Sequence, residues 1–319
     1  MAAMIITQAL SKTFSTRQGA VEAVRGITLT IEAGEIFGFL GPNGAGKTTF
    51  MRMLSTLLLP TSGMASVAGC DLRREAGRVR QRIGYVGQQG GAEEVTSGYE
   101  NLVLQGQLHG LSRRLAGSRA NELIAAFDMT SFANRGVRGY SGGQRRRLDL
   151  ALGMVHRPAL LFLDEPTTGL DPQSRVRLWE EVRRLRDNGT TIFLTTHYLD
   201  EADALCDRLA IMDNGQLVGE GTPTTLKRQI AGDIITLGLT NSDNQHIQAT
   251  TLLRNQPAVR EIHTTANGLQ LTVDHGEQAL PLILRQLDNV GLSIHHVTMA
   301  RPTLDDVFLR LTGRSLRDE

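Results

Sequence analysis

Gly41-Pro42-Asn43-Gly44-Ala45-Gly46-Lys47-Thr48 fits the phosphate-binding pattern G-x-x-x-x-G-K-[ST]. Glycines at this spacing let backbone N–H groups turn inward on a polyphosphate, and a following helix N-terminus adds partial positive charge. In such a loop Lys47 reaches the β- and γ-phosphates, the Thr48 hydroxyl ligates Mg2+, and Thr49 continues the binding turn. Only three of the 34 basic residues are lysines (Lys12, Lys47 and Lys227), which weakens the competing reading of a glycine turn beside a chance lysine. A second set of candidates closes Leu160-Leu161-Phe162-Leu163-Asp164-Glu165. An apolar strand carries two carboxylates to its C-terminal edge, where open α/β sheets bind ligands. Asp164 suits Mg2+, and Glu165 can orient and deprotonate an attacking water.

Between these two sets lies Tyr140-Ser141-Gly142-Gly143-Gln144, at the start of an arginine-rich helical stretch and 23 residues before Asp164. A small hydroxyl, two amides without side chains and a helix N-terminus make a second anion site. Here the sequence resembles the ABC ATPase family, whose signature is usually Leu-Ser-Gly-Gly-Gln. The resemblance implies that Ser141, Gly142, Gly143 and Gln144 bind the γ-phosphate of ATP held by a second copy of the chain. It also implies that Gln88 touches Mg2+ or the lytic water, and that Asp171 lies at the dimer seam. His197, 33 residues after Asp164, then contacts the γ-phosphate, and Phe14 stacks on adenine. For Phe14 a core phenylalanine is the competing reading. Gly90 and Gly91 suggest a mobile loop after Gln88. Arg145, Arg146 and Arg147 read as a solvated helix face, with an interface role as the sharper alternative.

The elements that must position these residues follow from periodicity. Residues 4–10, 27–33 and 35–40 read as strands, the last feeding the glycine loop. Apolar residues from Thr48 to Leu58 recur at helical spacing, and Val176, Trp179, Val182 and Leu185 mark one face of another helix. With strands at 159–163 and 191–195 on either side of that helix, the order implies a parallel α/β core. The fold class expected is therefore α/β, a P-loop NTPase of ABC ATPase type with a mixed core sheet. Residues 1–229 form this ATPase domain, including a helical subdomain over about 93–156. Residues 230–319 read as strand, helix, strand, strand, helix, strand, with a last helix at 303–312. That order predicts a small ferredoxin-like α+β domain.

Composition narrows the class further. Net charge is +1, so no global basic field calls for nucleic acid or an anionic membrane. Residues 1–229 hold 27 basic and 23 acidic side chains, and residues 230–319 hold 7 and 10. Cys70 and Cys206 are far apart and read as buried reduced thiols. No apolar run approaches a membrane span.

Finer motifs resemble the daunorubicin-resistance type of exporter ATPase. They are Tyr140 to Ala151, Thr195 to Asp203, and Pro302-Thr303-Leu304-Asp305-Asp306-Val307-Phe308-Leu309. The resemblance implies ATP and Mg2+ as cofactors, a head-to-tail dimer and a separate ABC-2 type permease as partner. It implies a seat on the cytoplasmic face of the membrane and a hydrophobic drug, antibiotic or lipid-like cargo. The rival readings are a soluble ABC ATPase acting on ribosomes or DNA, and a regulatory ATP sensor.

Overall fold

The computed structural model describes residues 2–17, 19–228, 232–239, 243–254, 256–265 and 268–313. The chain divides into two compact units, Met1–Glu220 and Gly221–Glu319. The division lies upstream of the 229/230 boundary read from sequence.

The first unit opens with a long hairpin, β1 (Ala3–Thr16) and β2 (Gly19–Glu32), which extends well past the short strands expected at 4–10 and 27–33. Then come β3 (Ile36–Leu40), α1 (Lys47–Leu54), β4 (Ser62–Val67), β5 (Cys70–Asp71), α2 (Ala76–Arg82) and β6 (Ile83–Val86). A helical stretch follows, with α3 (Gly98–Leu108), α4 (Arg113–Ala126) and α5 (Gly142–Gly153). The unit closes with β7 (Leu160–Asp164), α6 (Pro172–Asp187), β8 (Thr191–Thr196), α7 (Leu199–Leu205), β9 (Arg208–Asp213) and β10 (Gln216–Gly221).

Strands β2, β1, β4 and β5 form one sheet in that order, with β1 antiparallel to both β2 and β4. The other sheet runs β10-β9-β3-β8-β7-β6. Within it β3 is parallel to β8 and β9, and β7 is parallel to β8 and β6. All residues of β3, β7 and β8 are buried, as expected of strands covered on both faces. Because β3, β8 and β7 are neighbours, their C-terminal ends bring Gly41, His197 and Asp164 to one edge.

Beneath that edge sits an aromatic cluster. Phe39 stacks on Phe50 with centroids 4.9 Å apart, and Phe193 lies 5.4 Å from Phe39 and 5.6 Å from Phe162. Pairs of this kind contribute about 0.5–1.5 kcal/mol each beyond their buried area. They fix α1 against three strands, so the helix that follows the glycine loop has one seat.

Two helices differ from the sequence expectation. Helix α1 stops at Leu54 instead of running to Leu58, because Thr56 takes a left-handed φ of 64°, and Leu57 is left exposed. On α6 the inward face is Leu178, Val182 and Leu185, while Val176 is 48% exposed. Both cysteines are buried and free.

The second unit begins with the short α8 (Pro223–Leu226) and then follows β11 (Asp233–Leu239), α9 (Asp243–Arg254), β12 (Val259–Thr265), β13 (Gly268–Val273), α10 (Gly276–Asn289), β14 (Ile294–Ala300) and α11 (Leu304–Thr312). Its sheet order is β12-β13-β11-β14, antiparallel throughout. This is the ferredoxin-like arrangement expected from the element order. Ile235, Leu237, Leu269 and Leu271 alternate inward from the strands and pack with Leu253 of α9 and Ile283 of α10. Among the described residues no helix is long and apolar enough to cross a membrane.

Candidate functional site

The glycine loop is shaped by what surrounds it. Gly46 caps α1 with φ 104°, and a Cβ there would lie 2.2 Å from the Ala23 carbonyl oxygen of β2. Only glycine meets both demands. The close approach also brings the β1–β2 hairpin, which carries Phe14 paired with Val21, against the loop. Phe14 is 37% exposed, with the Lys12 ammonium 5.1 Å from its ring centroid, so the core reading does not hold. Asn43 and Gly44 face solvent, Pro42 and Ala45 are buried, and Thr48 and Thr49 are half-buried in the first turn of α1.

Lys47 is only 4% exposed, and its Nζ donates to the carbonyls of Gly41 (2.6 Å) and Pro42 (2.9 Å). The ammonium thus sits within the curl of the loop, 3.8 Å from Oε1 of Glu165. The Thr48 hydroxyl donates to Oδ1 of Asp164 at 3.0 Å, and the Thr195 hydroxyl donates to the same oxygen at 2.7 Å. Oδ2 of Asp164 accepts a longer bond, 3.4 Å, from the Tyr85 hydroxyl. Thr195 and Tyr85 join the candidate residues only through these contacts. A threonine at the end of an otherwise apolar strand was the only signal for the first.

Glu165 takes a left-handed φ of 44°, which is costly for a residue with a Cβ and points to a position fixed by its surroundings. Its backbone N–H donates to the carbonyl and hydroxyl oxygens of Thr195. Three groups crowd its Oε2: Gln88 Nε2 at 3.0 Å, His197 Nδ1 at 3.3 Å and the Thr168 hydroxyl at 3.3 Å. The His197 imidazole, and after it the Lys47 ammonium, hold the Glu165 carboxyl below its usual value against the opposing pull of burial. Glu165 is therefore ionised at neutral pH and able to accept a proton.

The signature residues stand apart from this cluster. Ser141 caps α5 with a reciprocal capping box: its hydroxyl accepts from the Gln144 N–H at 3.3 Å, and its N–H donates to Oε1 of Gln144 at 3.1 Å. Ser141 and Gly142 are exposed. A Cβ on Gly143 would lie 3.1 Å from the Ser174 hydroxyl, which donates to Oδ2 of Asp171 at 2.6 Å. Asp171 caps α6, so the signature and Asp171 form one surface group. Tyr140 is buried and donates its hydroxyl to the Phe132 carbonyl at 2.9 Å.

The arginine run is not one solvated face. Arg145 pairs with Glu94 at 2.9 Å on the surface, whereas Arg146 is buried at 6% exposure and bonded to backbone carbonyls. The loop after Gln88 is likewise tied down, the Gly91 N–H donating to Asp149 at 3.2 Å.

Known proteins match this chain over most of its length. The family described as ABC transporter matches residues 24–168, and the family described as ATP-binding protein DrrA1-3-like, C-terminal domain, matches residues 221–312. The daunorubicin resistance ATP-binding protein DrrA3 of Streptomyces coeruleorubidus is 45% identical over 301 residues, 94% of each chain. The chain belongs to the ABC transporter ATP-binding family. The daunorubicin/doxorubicin resistance ATP-binding protein DrrA of Streptomyces peucetius is 44% identical over 93% of this chain and 89% of its own. A solved dimeric structure of MJ0796, a bacterial ABC transporter cassette, superposes with a TM-score of 0.63 at 25% identity, covering 69% of this chain and 98% of the cassette. As a member of this family, and of its daunorubicin-resistance branch, the protein is an ABC ATPase that binds and hydrolyses ATP.

Proposed function

We propose that this ABC ATPase powers an exporter of a hydrophobic drug, antibiotic or lipid-like molecule through a separate ABC-2 type permease, from the cytoplasmic face of the membrane. The names of the daunorubicin-resistance relatives support the cargo class. The observation that carries the reading is the separation of two half-sites. Lys47, Thr48, Asp164 and Glu165 converge at one sheet edge, while Ser141 and Gly142 are exposed at the start of α5. A head-to-tail pair of copies joins each phosphate loop to the partner's Ser141, Gly142, Gly143 and Gln144, with Asp171 at the seam. The dimeric relative supports this arrangement.

In each site the loop of residues 41–48, with Lys47 and Thr49, holds the phosphates, and Phe14 supports the adenine. Hydroxyl, carboxylate and amide oxygens suit a hard divalent cation. Asp164, with the Thr48 hydroxyl already 3.0 Å away, and Gln88 supply that donor set. A Mg2+ bound by these residues would supply charge compensation for the phosphates during transfer. The Glu165 carboxylate accepts a proton from a water whose oxygen bonds to the γ-phosphorus. The bond from that phosphorus to the bridging oxygen breaks, ADP leaves with the electron pair, and His197 steadies the γ-phosphoryl oxygens. Since γ-phosphate contacts differ between the closed and open dimer, ATP shifts the equilibrium and ADP does not.

The test is capture of the tagged full chain from its native membranes, followed by mass spectrometry. A multi-span membrane protein in matching amount is the expected result. Ribosomal or DNA-bound partners, with nothing from the membrane, would overturn the transport reading and leave the ATPase intact.

A further inference from the structure

The buried middle arginine of the run has a specific set of partners. Its Nε donates to the Pro166 carbonyl at 2.7 Å, its Nη1 to the Gly87 carbonyl at 2.9 Å and its Nη2 to the Asp164 carbonyl at 3.4 Å. Gly87 immediately precedes Gln88, and Asp164 and Pro166 flank Glu165. One guanidinium therefore grips the backbone on either side of Glu165 and next to Gln88. One turn further along α5, Asp149 is also buried at 6% exposure, and its Oδ1 accepts from the Gly91 N–H. A Cβ on Gly90, whose φ is 74°, would lie 2.7 and 2.8 Å from the two Asp149 carboxylate oxygens. Helix α5 thus holds the Gln88 loop from both ends, by a donor at Gly87 and an acceptor at Gly91.

We propose that Arg146 and Asp149 are positioning residues that set the Gln88–Glu165 pair and couple it rigidly to Ser141, the cap at the N-terminus of the same helix. The inference rests on the reading of Gln88 and Glu165 as the catalytic pair. A planar fork with donors in several directions suits three carbonyls that diverge around it, and a single ammonium does not. Because Ser141 caps the helix that carries the clasp, a shift at the signature end displaces the carbonyls beside Glu165 and Gln88. A displacement of about 1 Å at reacting groups costs on the order of a hundredfold in rate.

The test compares ATP turnover, nucleotide binding and amide exchange in the full chain. Arg146→Gln and Arg146→Lys are expected to lower kcat by at least about tenfold, with KM and one-to-one ATP binding kept within about twofold. Amide exchange over residues 87–91 is expected to accelerate in both. Wild-type turnover in Arg146→Lys would mean that charge balance against Asp149 suffices, and would overturn the proposal. So would lowered turnover with unchanged exchange in that segment. Gly90→Ala presses the loop away from Asp149 without touching the core, so it serves if the arginine variants fail to fold. It is expected to lower kcat while ATP still binds, and unchanged kcat there would sink the idea. Glu165→Gln in the same assay separates the two readings. If it keeps turnover, the catalytic pair itself is misassigned. If it loses turnover while Arg146→Lys does not, only the clasp falls.

Discussion

Gln88 donates from Nε2 to Oε2 of Glu165 at 3.0 Å, on the same oxygen that His197 approaches to 3.3 Å. One carboxylate oxygen is thus oriented by three different loops, and the other faces Lys47 at 3.8 Å. Replacing Glu165 by Gln keeps the shape of this cluster but removes the proton acceptor. Turnover is expected to fall by about 10²–10⁴, with ATP affinity retained and a dimer accumulating on ATP addition in size-exclusion chromatography. Unaltered turnover would remove Glu165 from its assigned role.

The glycine loop makes a separate demand. Gly46→Ala places a methyl 2.2 Å from the Ala23 carbonyl and 2.7 Å from the Met212 methyl, at a φ of 104°. The strain costs on the order of 1–3 kcal/mol, and relief requires moving either the hairpin or the loop. Loss of ATP binding measured by equilibrium titration is expected. Wild-type affinity would show that the loop can relax without changing its grip on phosphate.

Much of this arrangement is legible in the residues because the chemistry constrains the backbone directly. The loop from Gly41 to Thr48 announces itself by glycines that its turns require. The alternation of Ile235, Leu237 and Leu239 likewise shows an inward strand face. The end of α1 was hidden because Thr56 leaves the helix by a backbone angle that its side chain does not advertise. Arg146 was hidden for a different reason: its partners are carbonyl oxygens, which every residue has, so three adjacent arginines look alike in sequence.

The inward face of α6 differs from its apolar spacing because Val176, though apolar and correctly spaced, is exposed while Leu178 takes the buried place. Leu178→Ala is expected to destabilise the protein by about 2–5 kcal/mol. Val176→Ala should stay within roughly 0.5 kcal/mol. Thermal or denaturant melts of the two variants decide it, and equal losses would contradict the packing described.

Glu201 offers a test by pH. It is fully buried, accepts a 3.2 Å bond from Trp179 Nε1, and burial pushes its carboxyl above the usual 4.5. A carboxyl raised in the folded state contributes stability that is complete below its unfolded pKa and is lost as pH rises through the folded value. Glu201→Gln retains an acceptor for Trp179 and removes this titration. The variant is expected to melt higher than the unmodified chain at neutral pH, with the advantage vanishing below about pH 4.5. A difference independent of pH would show that Glu201 does not titrate in this way.

Lysine scarcity has a practical side. With the Lys47 nitrogen shielded and tied to two carbonyls, reagents that acylate amines meet only Lys12 and Lys227 among the remaining lysine side chains. Among the lysine side chains, amine-reactive dyes and surface immobilisation will therefore attach on the hairpin at Lys12 or at the start of the second unit at Lys227. Labelled protein should keep its phosphate loop unmodified, while a label on Lys12, whose nitrogen lies 5.1 Å from the Phe14 ring centroid, sits where it would report on the base of a bound nucleotide.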